Sequence, residues 1–269
     1  MNTDWIAVRH GGYGWRIRPG LEGWLRGRDW TPPPDGMPGV AVIQRWGSRM
    51  SARLAGDAPD GGDLFVKWSG LRHAGEAFRF AVTPSRVAAE WRMNGRLAAA
   101  GVAVAECLAV GERRTAGLWR GGVLAMRAVT PPQTLASFMS AASEREARPA
   151  IAAAASLTAR LHARGFCHRD LHGDNLLLAA GGGEAILVDL HEAVFRRRLP
   201  EREWIADLAR LNATTPGSRG GRLRFWVRYA RARRLARSRH KAWIRAIDRE
   251  TRRLWDRHYR KRGERLERY

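Results

Sequence analysis

The distribution of apolar positions changes character near residue 130. Before it, short apolar runs are separated by Gly, Pro and polar turn signals, the pattern of an antiparallel sheet. The runs at 14–17, 23–25, 40–45, 50–54, 64–68, 102–110 and 123–129 are the candidate strands. Pro32, Pro33 and Pro34 exclude a central strand or a helix interior between the second and third runs. Gly47-Ser48-Arg49 predicts a tight turn, and the glycines at 111, 121 and 122 predict the turn region joining the last two strands. One segment departs from this pattern. Residues 85–100 follow Pro84, end at Gly101 and put Val87, Trp91 and Leu97 toward a core at helical spacing.

Beyond Pro131-Pro132 the apolar period becomes helical. Residues 135–140, 149–164 and 203–212 read as helices, the second carrying Ile151, Leu157 and Leu161 and stopping at Gly165. Between the second and third lie two short apolar strands, Leu176–Leu178 and 185–188, joined by a Gly-rich turn. Residues 217–221 predict a break, followed by basic helix with Trp243, Ile244, Ile247, Leu254 and Trp255 at helical spacing.

Length and composition narrow the class. A chain of 269 residues with 45% hydrophobic residues has ample core for one large domain or two lobes. The first eighteen residues lack a long apolar segment, so no signal peptide is expected, and no run is long enough to span a bilayer. Cys107 and Cys167 lie in apolar surroundings, which suggests a reducing compartment and a cytoplasmic location.

Charge adds more. The net charge is +22, and from Arg222 to Tyr269 nineteen Lys/Arg face five Asp/Glu, so the tail favours an anionic partner. No recognisable nucleic-acid-binding motif accompanies it, which disfavours nucleic acid as that partner. Of 48 basic residues only Lys67, Lys241 and Lys261 are lysine. A lone lysine in the strand Leu64-Phe65-Val66-Lys67-Trp68 marks a position that needs a compact, single-point cation.

The densest chemistry lies at residues 166–190. His168-Arg169-Asp170-Leu171 is followed by Asn175 and then by a strand ending at Asp189. A second triplet, His172-Gly173-Asp174, competes with it. Five residues after Asp170 stands Asn175, a metal-capable side chain, whereas five after Asp174 stands Ala179. Asp170 is therefore the better candidate base, and Asp174 reads as a loop residue bonding its own backbone.

These residues resemble the catalytic loop and metal-binding strand of the protein-kinase-like phosphotransferases. The resemblance implies an α+β, bilobal protein-kinase-like fold. Residues 1–130 would form an antiparallel-sheet N-lobe with one main helix, and residues 131–269 a mostly helical C-lobe. It further implies ATP with Mg²⁺, Asp170 as the base, and Asn175 and Asp189 as magnesium ligands. Lys67 would hold the ATP phosphates and pair with a glutamate on the following helix. Glu90 fits that place, with Glu76 as the rival. The Gly47-Ser48 turn would face phosphate, although only one glycine of the family's Gly-rich pattern is present. Asp207 could hydrogen-bond the catalytic loop or stand exposed on its helix; the residues leave both open.

From Asp189 to Asp207 there is no room for the long activation segment of regulated protein kinases, and His191 replaces the usual glycine. Phe65-Val66-Lys67, Glu90-Trp91-Arg92-Met93-Asn94-Gly95-Arg96-Leu97 leading into Gly101-Val102-Ala103-Val104, Val188-Asp189-Leu190 and Asp207-Leu208-Ala209-Arg210-Leu211 together resemble the lipopolysaccharide kinase family, the Kdo and heptose inner-core kinases. That resemblance implies phosphorylation of a sugar hydroxyl on an anionic, lipid-anchored acceptor, with peripheral attachment to an anionic membrane surface. The alternatives are a soluble small-molecule kinase of the aminoglycoside or choline type, which His172-Gly173-Asp174 suggests, and a non-catalytic kinase-like scaffold.

Overall fold

A computed structural model describes residues 5–179 and 182–262, the side chains of 258–262 excepted. The chain divides into two compact units, one formed by residues 1–99 and 104–130, the other by 100–103 and 131–269.

The first unit is built on a seven-stranded antiparallel sheet. Its strands are β1 (Ile6–His10), β2 (Tyr13–Ile17), β3 (Val40–Trp46), β4 (Arg49–Leu54), β5 (Leu64–Gly70), β6 (Cys107–Thr115) and β7 (Leu118–Arg127). Their order is β1-β2-β6-β7-β5-β4-β3. Strand alternation sends Trp15, Ile17, Met50, Ala52, Val66 and Trp68 into a core with Leu25 and Trp30. Lys67, one residue out of phase with Val66 and Trp68, points to the opposite face.

Helices α1 (Glu22–Arg26), α2 (Ala74–Val82) and α3 (Arg86–Ala99) complete this unit. The run at 23–25, expected as a strand, is helical. Leu21 and Leu25 stand one turn apart and both reach the core. Helix α3 is the main one, as expected, and the shorter α2 precedes it: Ala77 and Phe80 are buried, and Phe80 meets Trp119 edge-on with ring centroids 4.9 Å apart. The turn between the last two strands is also displaced. It lies at Ala116-Gly117, while β6 and β7 run straight through Gly111, Gly121 and Gly122. Gly111 is there for close packing, because a Cβ would stand 2.6 Å from the Trp15 ring.

The second unit is mainly helical, with α4 (Leu135–Ala141), α5 (Glu144–Ala163), α6 (Glu201–Thr214), α7 (Arg219–Ala232) and α8 (His240–Arg262). Its short strands are β8 (Gln133–Thr134), β9 (Phe166–Cys167), β10 (Leu176–Leu178), β11 (Ala185–Leu187) and β12 (Val194–Phe195). Helix α5 begins five residues before Pro149. Ser143 and Glu146 close a capping box at its start, and proline in the second turn costs one backbone hydrogen bond without ending the helix. The expected break at 217–221 is instead the start of α7, with Ser218 as the cap and Gly221 accommodated beneath Ile151. Trp204, Leu208, Trp226, Tyr229 and Trp243 bring α6, α7 and α8 together over Ala155 and Ala159 of α5.

Candidate active site

In the first unit, β5 presents Lys67 and α3 presents Glu90. The Lys67 ammonium donates to both carboxylate oxygens, at 2.8 and 3.0 Å. Glu90 is only 4% exposed, so this pair is far better shielded than a surface ion pair. Glu76, the rival, is also buried but is occupied elsewhere. Arg72 donates to it from its backbone and guanidinium, and Arg79 and Arg86 lie within 3.6 Å. The Gly47-Ser48 turn joins β3 to β4, with Gly47 at φ 56°, where a side chain would be strained. The Ser48 hydroxyl donates to the Gly70 carbonyl at 3.0 Å, so the turn's backbone, not this hydroxyl, is the group it could offer a ligand.

In the second unit, β9 delivers the chain into the loop that carries Asp170. The loop is fixed from beneath by Asp207, which is fully buried on α6. One of its oxygens accepts from the backbone N–H of His168 at 2.7 Å, the other from that of Arg169 at 2.9 Å. Burial pushes the Asp207 carboxyl up, but hydrogen bonds from His162 and the loop backbone outweigh this and hold it below its ordinary value. His162, in turn, is driven down by burial and is neutral. With Asp207 ionised, His162 Nε2–H donates to it at 3.3 Å, and Nδ1 accepts from the Tyr229 hydroxyl at 2.8 Å. A chain of hydrogen bonds thus runs from Tyr229 on α7 through His162 to Asp207, which accepts from the loop as well.

The same loop is tied to the strand that bears Asp189. His168, also buried, has one ring nitrogen 2.9 Å from the Val188 carbonyl, to which it donates. The Val188 N–H donates to the Asn175 carbonyl at 3.1 Å, continuing the β10–β11 pairing. Asn175 and Asp189 therefore emerge at the same end of one hairpin. The Asn175 amide N–H donates to the Asp170 carbonyl at 2.9 Å, so the amide oxygen is the atom it can offer a ligand. Arg169 and Asp189 have φ of 68° and 59°, two of the four non-glycine left-handed residues described, a cost that marks functional loops.

His172 stands between the two competing aspartates, 3.8 Å from Asp170 and 3.7 Å from Asp174. Asp174 accepts from Thr134 at 3.0 Å, tying it to the start of α4, whereas among the described residues the Asp170 carboxylate has only the longer His172 contact. His191 reaches back to Asp189 at 2.9 Å. The His162–Tyr229 link, between residues 67 apart, is not signalled by local spacing.

Comparison with known proteins bears on this arrangement. The family model for the lipopolysaccharide kinase (Kdo/WaaP) family matches residues 67–219, more than half of the chain. The chain belongs to that family. It is a kinase with a protein-kinase-like fold. Among solved structures, WaaP in complex with acyl carrier protein is similar, with a TM-score of 0.61 and 24% identity over 90% of this chain and 99% of that one. Curated proteins give no match. Among the described residues, no helix of this kinase is long and apolar enough to cross a membrane.

The residues fit a magnesium nucleotide. Asn175 and Asp189 offer hard oxygen atoms, the donor type that Mg²⁺ takes, and Lys67 is a point cation suited to phosphate.

Proposed function

We propose that this kinase transfers the γ-phosphoryl group of ATP to a hydroxyl of an inner-core sugar, Kdo or heptose, on a lipid-anchored lipopolysaccharide precursor. The observation that carries this reading is the Lys67–Glu90 pair: the single lysine of the first 240 residues, held by a buried carboxylate. Arginine serves almost everywhere else in the chain, so a lysine retained there fits a role at phosphate.

Residues 1–130 form the nucleotide-covering lobe, with the Gly47-Ser48 turn offering backbone N–H groups. Residues 131–269 form the catalytic lobe. Asp170 accepts the proton of the acceptor hydroxyl, and Asp207 keeps that carboxylate in place through the loop backbone. Asn175 and Asp189 would hold Mg²⁺, which neutralises phosphate charge when bound. Catalysis is then mostly positioning plus one proton transfer, the division of labour general to phosphoryl transfer. A basic chain acting on an anionic, lipid-anchored acceptor fits peripheral attachment at the cytoplasmic face of the inner membrane.

One observation favours a further partner. The similar WaaP structure contains acyl carrier protein, which makes a carrier of that kind a candidate partner for this chain.

The test is transfer of labelled γ-phosphate to a panel of lipopolysaccharide precursors, aminoglycosides and generic proteins. Labelling of the sugar of an inner-core precursor alone is the expected result. Labelling of an aminoglycoside in preference to it would move the soluble small-molecule reading ahead.

A further inference from the structure

Between Asp207 and Asp248 the chain runs for 40 residues, 208–247, with twelve Lys/Arg and no Asp or Glu. This stretch is the second half of α6, then α7 with the connections on either side of it, and the first turns of α8. The C-terminal half of α8 is different. Its Arg252 pairs with Asp248, and Arg253 and Arg257 share Glu250. On α7, by contrast, Arg224 reaches only Glu144 at 3.7 Å, and Arg222 and Arg231 have no acidic partner among the described residues.

The same helix exposes apolar side chains. Leu223 and Val227 are 57% and 55% exposed, although Phe225, Trp226, Tyr229 and Ala230 already satisfy the core on the other side. Leu223, Val227 and Arg231 fall at successive four-residue steps and form one line along the helix. Arg224 and Arg228 form the neighbouring line. An aliphatic ridge bordered by arginine, with Glu144 beside Arg224 as the one carboxylate paired to α7 among the described residues, is the composition of a helix that lies in a lipid interface.

We propose that the exposed face of α7 is the membrane-contact surface of this kinase, with Leu223 and Val227 entering the acyl region and Arg222, Arg224, Arg228 and Arg231 meeting anionic headgroups. The proposal rests on the reading of a lipid-anchored acceptor and adds which face meets the bilayer. Charge complementarity selects an anionic leaflet over a neutral one. Each arginine near such a surface strengthens binding by about fivefold. The aliphatic part is insensitive to salt and the arginine part is screened by it.

The face also lies close to the catalytic loop in connectivity. Tyr229, on the buried side of the same helix, bonds His162, and His162 bonds Asp207. Lipid contact on one side of α7 and loop support on the other would share one rigid element.

The experiment is sedimentation of the full chain with phosphatidylglycerol or phosphatidylcholine vesicles at 25 mM and 300 mM salt, which are chosen conditions of about 20 and 6 Å screening length. It needs neither ATP nor acceptor, so its failure is separate from failure of the kinase reading. The expected result is binding to phosphatidylglycerol only, weakened at least fivefold by Leu223→Ser with Val227→Ser at both salts. Arg222→Glu with Arg231→Glu should weaken it at low salt, and Arg252→Glu with Arg253→Glu much less. Thermal melts should match the native protein, because these side chains are exposed. Native protein that ignores phosphatidylglycerol at low salt overturns the proposal, as does binding unaffected by both α7 variants. Capture of purified acyl carrier protein in place of vesicles, lost in the same variants, would assign the face to an acidic protein and overturn it too.

Discussion

Asp207→Asn is the substitution that probes the site's support most sharply, because the two side chains have the same shape. The carboxylate serves two backbone donors with two different oxygens, His168 N–H with one and Arg169 N–H with the other. An amide has one oxygen. Whichever way it is turned, one loop N–H meets an NH₂ group and loses its partner. His162 could change tautomer and accept from the amide, but that relieves neither backbone donor. Stranding a buried donor costs ~1–3 kcal/mol, and replacing a charged acceptor by a neutral one weakens the remaining bonds, so ~2–4 kcal/mol is expected in total. At roughly 2–4 °C per kcal/mol for a chain of this size, the melting temperature should fall by roughly 4–16 °C. Circular dichroism melts measure this directly. Steady-state kinetics at saturating acceptor should show kcat reduced by about 10²-fold, since the loop carries Asp170, with the KM for ATP within about threefold of native. A variant that melts within about 1 °C of native and keeps its kcat would refute the buried network as the loop's support.

Three further outcomes follow from the same geometry. Lys67→Arg keeps the charge but puts a planar fork where a compact ammonium bonds both Glu90 oxygens, so phosphoryl transfer should drop at least about tenfold; native kinetics would end the argument from lysine scarcity. His162 and His168 are both buried with pKa values driven below the ordinary 6.5, so the unfolded chain takes up their protons first. Stability is therefore complete above about pH 6.5 and lost as pH falls toward the folded values, and melts from pH 8 to 5 should show a falling midpoint, least in a His162→Gln variant. Gly111→Ala forces a methyl against Trp15 in the core and should cost ~1–3 kcal/mol by urea titration, whereas Gly11→Ala, in open space, adds no such clash and pays only for its left-handed φ.

The sequence was most readable where one local rule acted without competition. Alternation around Lys67, the stop at Gly101 and the helical period beyond Pro131 each carry their meaning within a few residues. Local rules mislead where one residue type serves two purposes. Gly111, Gly121 and Gly122 looked like a turn, but they sit inside the β6–β7 ladder because Trp15 and Val87 crowd the sheet there. Pro149 looked like a helix start, since proline favours the first turn, but Ser143 and Glu146 had already capped the helix. Helix α2 was hidden because its buried Glu76 is a charge on an otherwise apolar face, neutralised by arginines outside the helix as well as within it. The support of the catalytic loop was partly visible in Asp207 alone. His162 and Tyr229 are 67 residues apart, and no local pattern could join them.

The central claim is that Asp170, not Asp174, takes the proton from the acceptor hydroxyl. The direct measurement is single-turnover transfer of γ-labelled phosphate from Mg-ATP to an inner-core lipopolysaccharide precursor by native protein, Asp170→Asn and Asp174→Asn. Nucleotide affinity is measured alongside by equilibrium titration. The account predicts a loss of ~10²–10⁴-fold for Asp170→Asn with nucleotide affinity nearly unchanged. It predicts a much smaller loss for Asp174→Asn, whose side chain is engaged by Thr134. A loss of less than about tenfold for Asp170→Asn, or a larger one for Asp174→Asn, would contradict it.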